Sequence, residues 1–270
     1  MSIRAPAVAG RFYPANPTEL RSEIARFCEV REDKGRIEAK GVLVPHAGYV
    51  FSGSVAGRVF ARIVPAPLYL LLGPNHTGLG TRASVWTSGS WRTPLGEIAV
   101  DEKAAATLVE NSSILESDTA AHLQEHSLEV ELPFLQASNP GARFVPITLG
   151  GLSLAECHQL GAELAAFVRE WPEPVVMVTS SDMNHYLSDA RTRELDAMAI
   201  DKMLALDPDG LYKTVRSRGI TMCGYLPATA MISAVKALGA SHCELEAYAT
   251  SGDAFGDRER VVGYAGLIFW

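Results

Sequence analysis

Residues 68–78 read LYLLLGPNHTG, an apolar run that ends abruptly in a glycine, a proline and two polar side chains. Five consecutive apolar residues are typical of a strand buried on both faces, as in the parallel sheet of an α/β protein. The polar pair, Asn75 and His76, stands just past the carboxyl end of that strand. Ligands of open α/β sheets bind at the carboxyl ends of the strands. This stretch therefore predicts both the fold class and the sheet edge where a functional site should lie.

The same arrangement occurs twice more along the chain. Residues 42–48, VLVPHAG, place His46 after an apolar run, and residues 175–186, VVMVTSSDMNHY, place Asp182 and His185 after another. If the three strands are parallel neighbours, their carboxyl ends bring these side chains together. A histidine satisfied by local hydrogen bonds in a loop explains any one of these positions equally well. Three histidines in the same position on three strands favour a shared site.

Apolar runs alternate with longer amphipathic stretches over the whole chain. The predicted strands cover residues 41–45, 68–72, 143–148, 175–179, 243–250 and 261–269, with a further strand near 83–87. The predicted helices cover residues 17–29, 54–63, 102–111, 120–138, 154–170, 189–205, 208–218 and 227–238. This alternation predicts a layered α/β fold. Because neither a repeat nor a domain linker is visible, we treat residues 1–270 as a single domain.

Composition excludes several classes of function. The chain carries 24 lysines and arginines against 31 aspartates and glutamates, so it lacks the basic excess of a nucleic-acid binder. We find no apolar run of the roughly 20 residues that a membrane-spanning helix needs, and no signal peptide at the N-terminus. The four cysteines are widely spaced, which is typical of free thiols in a reducing compartment. We expect a cytoplasmic protein that binds neither nucleic acid nor membrane.

Cys223 is a further candidate for the site. It lies in TMCGYLP, just ahead of a predicted helix, where the positive end of the helix dipole should lower its pKa. A thiolate in that place would serve as a soft metal ligand or as a nucleophile, with His185 as its base. A lone cysteine is more often a small buried apolar residue, and that interpretation stays open.

The segment AHLQEHSLEVELPFL holds another concentration of reactive residues. His122, Glu125 and His126 match H-x-x-E-H, the inverted zinc-protease motif, and on a helix the two histidines would share a face. An amphipathic helix with exposed polar residues explains the same pattern. At the other end of the chain, Arg4 and the Phe12-Tyr13 pair are unusual for a free terminus, so we expect this arm to pack on the body of the protein.

Many short motifs, taken together, resemble one known family. They are RAPAVAGRFYP, VPHAGYVFSG, LLGPNHTG, TPLGEIAVD, EHSLEVELPFL, VPITLG, SSDMNHY and MCGYLP, in this order between residues 4 and 227. The set is similar to the Memo family, whose microbial members are called AmmeMemoRadiSam system protein B. The resemblance implies a fold like that of LigB-like class III extradiol dioxygenases, a single α/β/α domain with a central mixed sheet.

The resemblance also implies roles for the reactive residues. His46 and His76 match two metal-binding histidines, and Cys223 stands where the dioxygenases have a glutamate. The implied metal is iron or copper, with zinc possible, since a thiolate makes the site softer than two histidines and a carboxylate would. His126, His185 and Asp182 match the catalytic positions of the pocket. His122 falls outside the family pattern, so we interpret it as a helix-surface residue.

Two classes of function rank above a third, which is a thiol or acyl-transfer enzyme that needs no metal and uses Cys223 as nucleophile and His185 as base. In the first, the chain is a non-haem metalloprotein that is redox-active toward O2 or a small substrate. In the second, it is a non-enzymatic module that uses an inherited pocket to bind a peptide or small ligand. The family is associated with phosphotyrosine peptides in animals, and its microbial members with radical-SAM and AMMECR-like partner proteins. Because fold does not imply function, the resemblance alone establishes no dioxygenase activity.

Overall fold

The computed structural model describes residues 2–29 and 35–270. The strands are β1 (Ile3–Arg4), β2 (Gly41–Val44), β3 (Leu68–Pro74), β4 (Ala83–Val85), β5 (Ser90–Thr93), β6 (Gly96–Ala99), β7 (Glu116–Ser117), β8 (Arg143–Leu149), β9 (Val175–Ser180), β10 (His185–Leu187), β11 (Cys243–Thr250) and β12 (Val261–Phe269). The helices are α1 (Pro17–Phe27), α2 (Tyr49–Arg62), α3 (Glu102–Glu110), α4 (Leu132–Ser138), α5 (Leu154–Glu170), α6 (Asp189–Leu204), α7 (Pro208–Arg218), α8 (Tyr225–Ala237) and α9 (Ser251–Phe255). A short 3-10 turn, Glu129–Glu131, precedes α4.

The central sheet is mixed, as the resemblance implied. Its strand order is β10-β12-β2-β9-β3-β8-β4-β7, and β11 pairs with β12. The four central strands β2, β9, β3 and β8 are parallel, whereas β12 runs antiparallel to β2 and β4 runs antiparallel to β8. Every residue of β2, β3 and β9 is buried, because these strands are apolar on both faces. The carboxyl ends of β2, β9 and β3 therefore lie side by side.

Helices cover both faces of this sheet. A Cβ atom on Gly41 of β2 would meet Met231 and Val235 of α8, so α8 packs closely against that face. On the opposite face, a Cβ atom on Gly266 of β12 would meet Val55 and Val59 of α2. These two close approaches define an α/β/α arrangement of three layers. No helix of the described residues is long and apolar enough to cross a membrane.

The helix predicted over residues 120–138 is wrong in its first half. Residues 119–128 form turns, and only α4 is an α-helix in this region. The polar side chains explain the difference. The Asp118 carboxylate accepts hydrogen bonds from the amides of Ala120 and Ala121, and the Glu125 carboxylate accepts from the amides just after it. These bonds compete with helical hydrogen bonds and turn the chain inward.

The N-terminal arm packs on the body, as predicted. Its strand β1 pairs with β5 at the edge of a separate three-stranded sheet. Arg4 is 2% exposed and forms a 2.7 Å ion pair with the buried Glu129. The Glu129 carboxylate also accepts hydrogen bonds from the amides of Ala7 and Val8 and from the Tyr13 hydroxyl. The arm is therefore fixed to the loop that enters the 3-10 turn.

Candidate metal centre

His46, His76 and Cys223 meet at the carboxyl edge of the central sheet. His46 follows β2 and His76 follows β3, while Cys223 lies two residues before α8. The Sγ atom of Cys223 is 3.2 Å from Nε2 of His46, and the two imidazole rings are 5.1 Å apart. One nitrogen of each histidine and the Cys223 sulfur all lie within 4.8 Å of one another. This spacing would allow one metal ion to contact all three atoms.

The His46 ring is oriented by a buried hydrogen-bond chain. Its Nδ1 atom is 2.8 Å from Oγ of Ser180, which in turn donates to the carbonyl of Ser127 at 2.7 Å. A carbonyl only accepts, so the single hydroxyl proton of Ser180 goes to Ser127 and Nδ1 of His46 must donate. The free lone pair of His46 is then on Nε2, the atom that faces Cys223. Burial lowers the pKa of His46, which favours the neutral ring that a metal ligand requires.

His76 is oriented by a carboxylate that the sequence did not single out for this role. Its Nδ1 atom is 2.9 Å from Glu125, and its backbone amide donates to the same carboxylate at 2.6 Å. Burial alone would raise the pKa of Glu125, but its hydrogen bonds, that from His76 above all, lower it to about 2. A carboxylate behind a histidine fixes its tautomer and increases its basicity as a ligand. The only sequence signal for this contact was the H-x-x-E-H pattern.

Cys223 differs from the expectation of a lowered pKa. Burial and the neighbouring Asp182 carboxyl raise the pKa of the Cys223 thiol. The backbone amide of Asp182 donates to the sulfur at 3.2 Å, but this one bond does not offset the loss of solvent. The prediction of a thiolate stabilised by the helix dipole alone is therefore wrong. A bound cation would reverse the effect, because a coordinating thiol is deprotonated.

Asp182 holds the backbone after β2 and contacts no imidazole ring directly. Its Oδ1 atom accepts hydrogen bonds from the amides of His46, at 2.8 Å, and Ala47, at 3.2 Å. Asp182 therefore fixes the loop that carries His46 through the backbone of that loop. Burial raises the pKa of Asp182 to about 7.

His126 and His185 lie in the same cavity as His46 and His76. The His126 ring stacks on the His76 ring with centroids 4.8 Å apart, and it contacts Phe12 edge-on at 4.9 Å. His185 donates through Nδ1 to the carbonyl of Thr221 at 3.0 Å, so the lone pair of this ring is on Nε2. Burial lowers the pKa of both histidines. All the predicted site residues are therefore close together.

The cavity above these histidines has a volume of about 680 Å³. Asp182, Phe12 and Tyr264 form part of its lining, and Phe51 and Phe255 stand near its mouth. A cavity of this size holds a small organic ligand. A second potential ligand group, His76, Glu125 and His126, shares one histidine with the first. Because Glu125 already accepts hydrogen bonds from three amides, we interpret it as a support for His76 and assign it no metal.

His122 is buried and lies away from the candidate centre, so its interpretation as a helix-surface residue is wrong. It is fully buried and packs edge-on against Trp91, with centroids 5.7 Å apart. Neither ring nitrogen has a hydrogen-bond partner within the described residues, and the Ser84 backbone offers only a weak interaction. Burial, aided by the Arg4 charge, lowers the pKa of His122 to about 4. His122 and His126 belong to no common group of potential ligands among these residues, which argues against the zinc-protease motif.

Fold and site together define an α/β/α protein with two histidines and a cysteine at the carboxyl edge of a mixed sheet. The profile of the Memo-like protein family matches residues 4–268. The chain belongs to the Memo family.

Archaeal proteins of this family are similar over their whole length. MEMO1 family proteins of Methanopyrus kandleri and Methanothermobacter thermautotrophicus are 41% and 40% identical, and the alignments cover 98% of this chain and at least 98% of theirs. One from Methanosarcina acetivorans is 42% identical over 99% of both chains. Among solved structures, an uncharacterized protein JW3007 of Escherichia coli K12 matches with a TM-score of 0.54 and 14% identity, covering 83% of this chain and 98% of that one. This last likeness concerns the fold alone.

Proposed function

We propose that this chain is a metal-binding protein in which His46, His76 and Cys223 hold one iron or copper ion that is redox-active toward O2 or a small substrate. The observation that carries the proposal is the convergence of the three ligand atoms within 4.8 Å. The three residues come from distant parts of the chain and follow or precede different elements of the fold.

The donor atoms fit such an ion in chemical terms. The Nδ1 proton of His46 forms a hydrogen bond to Ser180, and that of His76 forms one to Glu125. Each ring therefore has a free lone pair on Nε2. Two imidazoles and one thiolate suit iron, copper and zinc, whereas magnesium and calcium prefer oxygen ligands. When bound, iron or copper would supply one-electron chemistry and a binding position for substrate or O2.

The remaining polar residues of the cavity would accept and donate protons or orient the candidate ligands. His185 presents Nε2, because its Nδ1 bonds to the Thr221 carbonyl, and since burial lowers its pKa it would act as a neutral imidazole that accepts a proton. Asp182, with a pKa of about 7, can hold a proton close to Cys223. His126 stacks on His76 and would limit how that ring turns. Through its hydrogen bonds to two amides, Asp182 would also maintain the loop geometry of His46.

The alternative is a binding module without catalysis, and the open cavity of about 680 Å³ is the observation in its favour. In that case the histidines would serve as hydrogen-bonding groups for a peptide or small ligand. Partner proteins of radical-SAM and AMMECR-like type follow from the family resemblance. A cytoplasmic location follows from the composition and the cysteine spacing, and both belong to either version of the proposal. The cysteine in place of a dioxygenase glutamate is the reason to propose redox chemistry in general and no particular dioxygenase reaction.

Elemental analysis of purified protein, followed by metal titration, tests the proposal. We expect about one transition-metal ion per chain, and a marked loss in the His46→Ala/His76→Ala double variant. A His158→Ala/His242→Ala double variant is the matched control, since both histidines lie outside the candidate centre. With cobalt(II), a thiolate charge-transfer band should be present in the parent protein and absent in Cys223→Ser.

Two results would contradict the proposed centre. One is an unchanged metal content in the His46→Ala/His76→Ala variant. The other is a parent protein with no site tighter than roughly micromolar, about -8 kcal/mol of binding free energy, which would favour the binding module.

A further inference from the structure

Two arginines without acidic partners line the cavity that holds the candidate metal centre. Arg11 and Arg260 both belong to its lining and both are exposed to solvent. Neither forms an ion pair with any residue in the ranges 2–29 and 35–270. The contrast with Arg258 is informative, because that neighbouring arginine pairs with Asp189 and with Asp253. The positive charges of Arg11 and Arg260 are thus unpaired among the described residues, although a neighbouring arginine has two acidic partners.

The surroundings fix the backbone of Arg11 and hold the side chain of Arg260. The amides of Arg11 and Phe12 bond to the Val8 carbonyl, at 3.0 and 2.9 Å, within the arm that Glu129 fixes to the body. The Phe12 ring contacts His126. Burial lowers the pKa of His126 and the Arg11 charge adds to that lowering, so the two groups lie within electrostatic reach. On the other side, the Arg260 guanidinium lies over the Tyr186 ring at 5.7 Å.

Apolar and aromatic side chains make up much of the remaining wall. Phe51 and Phe255 contact each other at 5.1 Å, and Phe255 is 66% exposed, which is unusual for a phenylalanine without a partner. Val262 and Tyr264 continue this wall on β12. The wall therefore combines a surface for an apolar group with two cations.

The chain as a whole does not explain this local charge, because its formal net charge is -7. The lining contains one exposed carboxylate, that of Asp257, whose Oδ1 accepts a hydrogen bond from the amide of Glu259. Asp182 is buried at the bottom of the cavity. Unpaired arginines on the wall of a cavity attract anions and bind carboxylate or phosphate in a bidentate way.

We propose that the cavity selects a small organic anion, whose carboxylate or phosphate binds Arg11 and Arg260 and whose apolar body lies against Phe51, Phe255 and Tyr264. The proposal rests on the proposed function in one respect only, namely that the far end of this ligand would face His46, His76 and Cys223. It makes Arg11 and Arg260 the specificity-determining residues of the site.

Calorimetric titration with matched probes tests the proposal on the full chain. The probes are 3-phenylpropanoate, its neutral amide, and 2-phenylethyl phosphate, which together separate the charge from the apolar body and the carboxylate from the phosphate. We expect the better of the two anions to bind at least about tenfold more tightly than the amide. Arg11→Gln and Arg260→Gln should each weaken anion binding by roughly fivefold or more and leave amide binding unchanged. Arg218→Gln, an exposed arginine at the end of α7, is the matched control and should change neither.

Several outcomes would overturn the proposal. These are equal affinity for the anions and the amide, no effect of either arginine variant, an equal effect of Arg218→Gln, or no binding of any probe at millimolar concentration. Zinc uptake is measured on the same variants and should be unchanged in all of them. A protein that discriminates anions but binds no metal would refute the proposed function and support this inference, whereas the reverse result would refute this inference alone.

Discussion

At the scale of single residues, two buried glutamates behind the candidate centre differ in their charge state. Glu125 accepts hydrogen bonds from His76 and from three amides, and these bonds keep it ionised. Glu131 bonds only to Ser180, through Oε1 at 2.9 Å, and its Oε2 atom has no partner among the described residues. Burial raises the pKa of Glu131 well above its ordinary value, which favours its neutral form. The two histidine ligands therefore have unlike supports, a carboxylate behind His76 and a neutral chain behind His46.

This difference leads to a prediction about metal affinity. Glu125→Gln removes the negative charge that makes His76 a stronger donor, and we expect the affinity for zinc to fall by about 10–100-fold. Glu131→Gln exchanges one neutral group for another of similar shape and should leave the affinity within about twofold of the parent value. Competition with a chelating dye measures both. A Glu125→Gln protein with parental affinity would show that the carboxylate does not tune the site.

His122 supports a prediction about stability at acid pH. Its folded-state pKa is about 4 and its ordinary value is 6.5, so between these values the unfolded chain binds more protons than the folded one. The free energy of unfolding should therefore fall as the pH decreases from 6.5 toward 4, with His122 contributing on the order of 3 kcal/mol. His122→Leu removes that share and should flatten the acid limb of the stability curve. Urea unfolding at several pH values is the measurement.

A second substitution separates titration of His122 from its packing. His122→Gln keeps a polar group but cannot bind a proton in this range. Its stability should therefore depend on pH as weakly as that of His122→Leu, and it should be lower than that of His122→Leu at every pH. If His122→Leu and the parent protein keep parallel stability curves between pH 6.5 and 4, the buried neutral histidine is not the cause.

At the scale of elements, the N-terminal arm acts as a wall of the site. Arg4 donates to the carbonyls of His122 and Glu125, at 2.7 and 2.5 Å, and pairs with Glu129. Arg4→Met leaves the buried Glu129 charge without its cation, and we expect a loss of about 3 kcal/mol in the free energy of unfolding. Arg21→Met, on the exposed face of α1, should change stability by less than about 0.5 kcal/mol. Equal stabilities for the two variants, measured by denaturant unfolding, would contradict a structural role of the arm.

Strands were predictable from the sequence where every residue of the strand is buried. The apolar runs predicted strands over 68–72 and 175–179, and the strands observed are Leu68–Pro74 and Val175–Ser180. A strand buried on both faces leaves a continuous signal that needs no knowledge of its neighbours. The helix predicted over 54–63 begins earlier, at Tyr49. The one glycine and two serines in YVFSGS lower the local helix propensity that the sequence reveals, whereas tertiary packing supplies the stability.

The candidate site was predictable in its location and only partly in its chemistry. The convergence of His46 and His76 follows from strand ends, which the sequence reveals. The support of His76 by Glu125 depends on turns whose carbonyls at His122 and Glu125 bind Arg4, 118 and 121 residues away in the chain. The pKa of Cys223 was predicted in the wrong direction because a helix dipole can be inferred from sequence, whereas the loss of solvent around the sulfur cannot.

At the scale of the whole molecule, the candidate centre joins parts of the chain that are distant in sequence. His46 follows β2, His76 follows β3 and Cys223 precedes α8, so the three candidate ligands are neighbours only when the sheet and α8 are assembled. A metal ion at this position would bind the folded chain far more tightly than the unfolded chain. Its binding free energy would then add to the free energy of unfolding.

Thermal unfolding with and without metal therefore tests the topology and the site together. At a free zinc concentration about 100 times the dissociation constant, linkage adds about 3 kcal/mol, which raises the Tm of a protein of this size by roughly 5–10 °C. A chelator should reverse the increase, and the His46→Ala/His76→Ala variant should unfold at the same temperature with or without zinc. The Glu125→Gln protein should show a smaller increase at the same zinc concentration, because its weaker site is less saturated. If zinc raised the Tm of the double variant as much as that of the parent, the stabilising ion would bind elsewhere, and the three residues at the sheet edge would need another explanation.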